Sequence, residues 1–497
     1  MKKIMLKKYF IIFFAFAVLM LLPACQVNEP DKTDNAEYEP SEPTKTDEQE
    51  NIPEFPEADF GGTAFTALIR GRDAPSYIPK YIFAEEQTGE LVNDETFFRN
   101  IAVEEKYNVK LEFVERANPS SNLRNQIMAG DQDIDLILDC GYAMAPLITS
   151  GIFYNLNNLS NINPEADYWD SHSIEGYAIA GKPFLFNNDI SVNHFMGTRF
   201  IYFNNKLIQD YGLENPYVLI RENKWTLDKF LEMAKSVSTD LGGQKPSAVP
   251  DFVVGMLSEN GSPNGTHIHL AIGSGIRLTE KSPEGALIPV LYNEKTEKFI
   301  SKVRDVLLNQ LYAFNQDEVS AGADTSQFLH IWDYGRSLFA TDHFLFCHAG
   351  TGAVEQFDNM TDFGIAPNPK WDSNQKEYAH KVDHYSLIFA MPVNIKDPEM
   401  TGTILDYWAY LSGKTVFPKY YEIFLKNRKI RQDEAIPILE IIKKTIIYDV
   451  GEVFSQSLKD VFWDAYSKGN LTSEYEKMEQ KIIKELNTVY DSYVDLD

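Results

Sequence analysis

Residues 130–157 read GDQDIDLILDCGYAMAPLITSGIFYNLN, and the order of segments inside them decides the fold. A polar loop carrying Asp131, Asp133 and Asp135 gives way to Ile134–Leu138 (IDLIL), which reads as a buried strand. Asp139-Cys140-Gly141-Tyr142 then turns the chain, Met144 to Ser150 reads as a helix, and Gly151 stops it.

Outward from this unit the same alternation continues. Phe65–Ile69 (FTALI) reads as a strand, Phe97–Tyr107 as a helix and Val109–Val114 (VKLEFV), with its period of two, as a strand. Asn122–Ala129 is a helix ended by Gly130. Strand and helix in alternation argue an α/β lobe with a largely parallel sheet. Ligands of such sheets bind beyond the carboxyl ends of the strands. The loops to watch are therefore Gly71-Arg72-Asp73 and Asp139-Cys140-Gly141-Tyr142. Farther on, Thr198–Asn204, Ser337–Phe346 and Ser386–Met391 read as strands, and Thr226 caps a helix to about Ser236. Lys298–Asn309 and Phe328–Tyr334 are helical by apolar spacing. From Met400 onward the chain is nearly all helix, with Ser473 capping the last, which carries a Met478, Ile482, Leu486, Val489 stripe.

Composition bounds the function. The 497 residues include 46 Lys+Arg against 73 Asp+Glu, a net charge of −27, which excludes a general polyanion binder. Hydrophobic residues at 44% suffice for a large core. Three cysteines exclude a disulfide scaffold.

The N-terminus reads as an export signal. Lys2, Lys3, Lys7 and Lys8 precede the uncharged run Tyr9–Leu22, which as a helix spans only about 21 Å, short of a bilayer's ~30 Å. Leu22-Pro23-Ala24-Cys25 resembles the lipobox of bacterial lipoproteins, which implies cleavage after residue 24 and a lipidated Cys25 at a membrane's extracytoplasmic face. Residues 26–57, with five prolines and eleven acidic residues, have too few large apolar side chains to fold and read as an extended tether. Cys140 and Cys347 then remain, a pair that an exported protein could oxidise.

Over roughly residues 60–415 the segments resemble the extracellular solute-binding proteins of ABC importers, a family that includes oligosaccharide-binding lipoproteins. The resemblance is carried by the opening stretch, by AGKPFLF (180–186), IYFNNKLIQDYGL (201–213), KWTLDKFLEMAKSVS (224–238), DYGRSLFAT (333–341) and DFGIAPNPK (362–370), in that order behind a lipobox. Residues 420–451 are similar to poorly characterised clostridial members rather than to the well-studied sugar binders. The resemblance implies a two-lobe α/β fold with an interlobe ligand cleft and a hinge. It places 58–186 with 337–390 in lobe one and 187–336 with 391–497 in lobe two. It implies a monomeric receptor that closes on a solute, carbohydrate by expectation, and presents it to an ABC permease, without chemistry and without a cofactor. No Gly-rich phosphate loop ending in Gly-Lys-Ser/Thr is present.

A sugar site needs flat aromatic faces and polar groups that bond hydroxyls. The aromatic candidates are Tyr142, Trp332 and Trp371, while Trp225 and Trp408 read as core. The polar candidates are Arg72, Asp73, Asp139, Asp189, Asp342 and Asp383. Asp131, Asp133 and Asp135 read as a solvated loop. The histidine pairs His267/His269, His380/His384 and His343/His348 have spacings seen in metal sites, but no HExxH accompanies them, so no metal is expected. Two other classes stay open: a surface glycoside hydrolase using paired carboxylates, and a solute sensor with no permease.

Overall fold

The computed structural model describes residues 52–71, 81–238, 253–316, 326, 328, 331–357, 360, 362–383, 386–426 and 432–496. The signal segment, Cys25, almost all of the tether, Arg72, Asp73, His384 and the side chain of Trp332 lie outside them. Among the described residues no helix is long and apolar enough to cross a membrane. Phe55–Asp497 forms one compact unit.

Two sheets organise this unit. In the first, Thr63–Arg70 lies between Val109–Arg116 and Leu136–Cys140, parallel to both, and Leu387–Ala390 adds antiparallel to Leu136–Cys140. Both faces of this sheet are covered, which explains why its strands read as apolar runs. Phe65, Ala67, Ile69, Leu136, Leu138 and Phe389 point into one core, and Leu68, Ile137 and Ile388 point into the other. The first core is closed by the helix Pro398–Lys414. Its Trp408, fully buried, meets Phe65 and Phe113 edge-on and donates its indole N–H to Asn100 at 3.1 Å.

The second sheet has the order Ala313–Asn315, Val254–Ser258, Phe344–Ala349, Phe200–Asn204, Phe363–Ala366. The first three are mutually parallel and Phe200–Asn204 runs against its neighbours. Its second strand, Val254–Ser258, is absent from the sequence reading because VGMLS is short and interrupted by Gly255. That glycine is required by packing: a Cβ there would sit 2.0 Å from the Ala234 carbonyl oxygen of the helix Leu227–Ser236.

Some boundaries differ from expectation. The stretch beginning at Ser337 is a 3₁₀ turn at Leu338–Thr341 before the strand Phe344–Ala349, and that strand belongs to the second sheet. The chain therefore returns to the first sheet only at Leu387, and Pro398–Lys414 packs on the first core rather than the second. The reason is topological. Phe344–Ala349 is apolar on both faces and fits the centre of either sheet, so its composition does not choose between them. The last helix is Leu471–Val494, capped by Asn470, whose side chain accepts from the Ser473 N–H; Ser473 lies inside the helix.

The Asp131–Asp135 loop divides. Asp133 is exposed and paired with Lys396 at 3.0 Å, whereas Asp135 is buried and accepts from the Thr66 N–H at 2.8 Å. Burial pushes the Asp135 carboxyl up to about 6, against the opposing pull of that hydrogen bond.

Two predictions follow from this packing. Gly255→Ala is expected to destabilise the protein by about 3 kcal/mol in urea unfolding, because backbone rather than a flexible side chain occupies the added methyl's place. For Asp135, the folded state holds its proton more tightly than the unfolded chain, so its contribution is full below about pH 4 and lost as pH rises through about 6. The stability of Asp135→Asn relative to the parent should therefore rise by about 2 kcal/mol between pH 4 and pH 7, read from denaturation midpoints; a pH-independent difference would refute this.

Candidate functional site

The carboxyl ends of the first sheet lie at Arg70, Arg116 and Cys140. Arg70 reaches across to Asp139 at 2.8 Å. The other Asp139 oxygen accepts from the Ser120 hydroxyl at 2.5 Å and from the Ser120 N–H at 3.1 Å, and the first also accepts from the Cys140 N–H at 2.8 Å. Four donors fill the lone pairs of one carboxylate. Asp139 is 1% exposed, so it acts as a clamp that fixes Arg70 and the start of the helix Pro119–Ala129. Tyr142, in the first turn of the helix Gly141–Ile148, is 37% exposed.

The matching edge of the second sheet is built from Glu259 and Asn260, just past Val254–Ser258, and from Arg199, just before Phe200–Asn204. Arg199 is ion-paired with Glu259 through one guanidinium nitrogen and with Asp383, at 2.9 Å, through the other. Arg336, near the end of the helix Ile331–Ser337, adds a 3.4 Å contact to Glu259 and a 3.6 Å contact to Asp333. Burial opposes the Glu259 charge, but Arg199 and Arg336 outweigh it and hold its pKa below the ordinary value. The same carboxylates, Glu259 and Asp383, outweigh the burial of Arg199 and raise its pKa. Asn260 donates to the Ser258 hydroxyl and the Leu307 carbonyl, and its own side-chain carbonyl has no partner among the described residues.

Asp383 joins the two edges. Its N–H donates to the Gly197 carbonyl at 3.0 Å, its carbonyl accepts from Ser386, and Ser386 in turn accepts from the Gly141 N–H at 3.3 Å. Thr198 and Val382 form an antiparallel bridge beside it. Gly197 lets Ser386 approach closely: a Cβ at 197 would lie 1.7 Å from the Ser386 hydroxyl oxygen, which would have to rotate away. Behind this junction lies a small cavity lined by Tyr177, Asn187, Asp383, Ser386, Tyr448 and Glu452.

The structure thus brings Asp139, Tyr142 and Asp383 to the edges where the lobes meet. Other candidates lie elsewhere. Asp189 is buried against Lys443 at 3.0 Å, and burial pushes its carboxyl to about 6 although Lys443 pulls the other way. Asp342 caps a turn in the left-handed region and accepts from Asn204, at the opposite edge of the second sheet from Arg199. The Trp371 ring lies against Lys302 and Lys295 of the helix Glu294–Leu307, with Lys302 4.8 Å from its centre. Trp225 is buried in the core, as expected, and donates to the Pro367 carbonyl.

Arg199, Glu259 and Arg336 escaped the sequence reading. Glu259 was detectable only through the strand before it, which was itself missed. Cys140 and Cys347 are free and buried, with thiols pushed up to about 12 by burial. His267 and His269 fall on the buried helix Thr266–Gly273, where His267 stacks on Tyr466 at 4.2 Å. Among the described residues no group of three or more His, Cys, Asp or Glu is placed to hold a metal ion.

No family model and no curated protein matches the chain. Solved structures do match. The sugar-binding protein MalE from Xanthomonas citri superposes with a TM-score of 0.56 at 12% identity, covering 88% of this chain and 100% of its own. A cyclo/maltodextrin-binding protein complexed with maltotetraose gives 0.53 at 13%, covering 87% and 98%. A sugar transporter from Rhizobium etli in an open conformation gives 0.53 at 14%, covering 88% and 100%. The chain has the two-lobe α/β fold of periplasmic binding proteins.

The Arg199 junction yields a stability test. Arg199→Met leaves Glu259 and Asp383 beside each other without their shared counter-charge, and should cost about 3–5 kcal/mol in urea unfolding. Adding Glu259→Gln should recover part of that loss; a double variant no more stable than Arg199→Met would argue against the pair as the cause.

Proposed function

We propose that the protein is an extracytoplasmic solute-binding receptor that captures a carbohydrate between its lobes and delivers it to an ABC importer. The observation that carries this reading is the meeting of two sheet edges at Asp383, lined by hydrogen-bonding groups, in a fold shared with solved sugar-binding proteins. Hinge closure suits such a site. A solute touching both edges gains contacts in the closed form that it lacks in the open one, and that difference drives closure. The polar furniture suits hydroxyls: carboxylates and guanidiniums here are paired with one another, and the buried Asn260 carbonyl beside them has no partner among the described residues. Tyr142, 37% exposed at the first turn of its helix, is the aromatic side chain that suits a pyranose. The reading includes a lipid anchor at Cys25, a tether over residues 26–57, a permease partner, a monomeric state and no catalysis. Arg72, Asp73 and Trp332 belong to it as further ligand contacts.

The test is thermal unfolding of the purified protein against mono- and oligosaccharides, peptides and divalent metals. A ligand at about a thousand times its dissociation constant stabilises the native state by about 4 kcal/mol. In a protein of this size that corresponds to a midpoint shift of about 4 °C. A shift with one sugar class is the expected result; shifts only with peptides or metals, or turnover of a glycoside, would overturn the reading.

A further inference from the structure

Glu259 holds a position that a ligand's own charge would want. Its carboxylate takes up Arg199 and, at 3.4 Å, Arg336, the guanidiniums at the carboxyl edge of the second sheet. A guanidinium fork matches a planar carboxylate, and the acid group of a uronic-acid sugar is chemically the same group. An acidic sugar could use these arginines only by displacing Glu259.

The main chain at Glu259 is fixed, so displacement would have to come from rotation of its side chain alone. The Glu259 N–H donates to the Thr266 hydroxyl at 3.0 Å, and its carbonyl accepts from the Thr266 N–H at 2.7 Å. Gly265 packs so closely that a Cβ there would lie 2.3 Å from the Glu259 carbonyl oxygen. The residue is 8% exposed, so a displaced carboxylate would remain largely out of water and unpaired. The surrounding charge points the same way. Among the described residues, Arg199 and Arg336 face the carboxylates of Glu259, Asp383 and Asp333. An incoming carboxylate therefore finds both guanidiniums already engaged, whereas hydroxyl groups can bond here without displacing anything.

We propose that Glu259 is a specificity-determining residue: by occupying Arg199 and Arg336 it sets the cleft for uncharged sugars and excludes those bearing a carboxylate. This rests on the carbohydrate-receptor reading above and adds a direction of selectivity to it. Specificity of this kind comes from the repulsive element as much as from the attractive one.

The experiment is calorimetric titration of the full chain with matched sugars, galactobiose against digalacturonic acid and xylotriose against aldotetraouronic acid, together with the uronic-acid counterpart of whichever sugar gives the largest thermal shift. The parent protein should bind the acidic member at least about tenfold more weakly than the neutral one. In Glu259→Gln that ratio should fall by about tenfold, and the residual affinity for the acid should weaken with added salt, which a purely structural role would not produce. Asp333→Asn, at the more exposed partner of Arg336, should move the ratio in the same direction by less, and it keeps the test decisive should Glu259→Gln fold poorly. Equal or tighter binding of the acidic sugar by the parent would overturn the inference while leaving the receptor reading intact. So would an unmoved ratio in both variants. Absence of binding to every sugar by every protein would remove the receptor reading, and the inference with it.

Discussion

Arg199 is bonded to Glu259 on one side and to Asp383 on the other, and the three residues come from three separate stretches of chain. Arg199 immediately precedes the strand Phe200–Asn204 of the second sheet. Glu259 follows the strand Val254–Ser258 of the same sheet, and Asp383 lies on the segment that carries the chain back to the first sheet. Charges taken this far out of water are tolerable only when each has its partner, so the three must be placed together or not at all. The directional bonds of a guanidinium fix angles that apolar packing would leave free. Around this junction the backbone is pinned as well, by Thr198 against Val382 and by Asp383 against Gly197. A buried Lys381–Glu452 pair at 2.8 Å attaches the C-terminal region to the same segment.

The C-terminal helix extends this logic over a longer distance. Its 24 residues span about 36 Å. At its start Tyr475 stacks on Tyr292 and Thr472 bonds Glu297. At its end Tyr493 meets Phe184 edge-on, and Lys182 donates to the Val494 carbonyl at 3.0 Å. The helix thus ties together segments more than a hundred positions apart in the chain. The pairing is uneven. Tyr475, Ile482 and Leu486 bury apolar surface along the body of the helix, whereas the last turn depends on Tyr493 and on backbone carbonyls that one lysine caps.

The sequence was most legible where one physical signal dominated. Thr63–Arg70, Val109–Arg116 and Leu136–Cys140 were readable because strands buried on both faces are nearly continuous apolar runs bounded by turn residues. Gly130 and Gly151 marked helix ends for the same local reason, a left-handed backbone that glycine adopts freely. Val254–Ser258 was lost because its glycine, demanded by the close approach of Ala234, looks like a turn in one dimension. The placement of Phe344–Ala349 was lost because a central strand carries no label for its sheet.

The site was harder to read, and the reason lies in sequence separation. Arg199 and Glu259 are 60 positions apart and Arg199 and Asp383 are 184, so no local pattern announces either bond. Asp139 looked like a ligand contact because it ends a strand, yet its neighbours in space supply four donors and consume it. Asp383 was named for the same kind of reason and stands where the lobes join. A strand-end carboxylate next to a guanidinium on the adjoining strand is complete in itself, whereas the Asn260 carbonyl, buried with no partner among the described residues, has bonding capacity left to offer. The useful question about a polar side chain at a sheet edge is therefore how many of its bonds remain to be made, and that number is set by strand order, which the linear sequence does not carry.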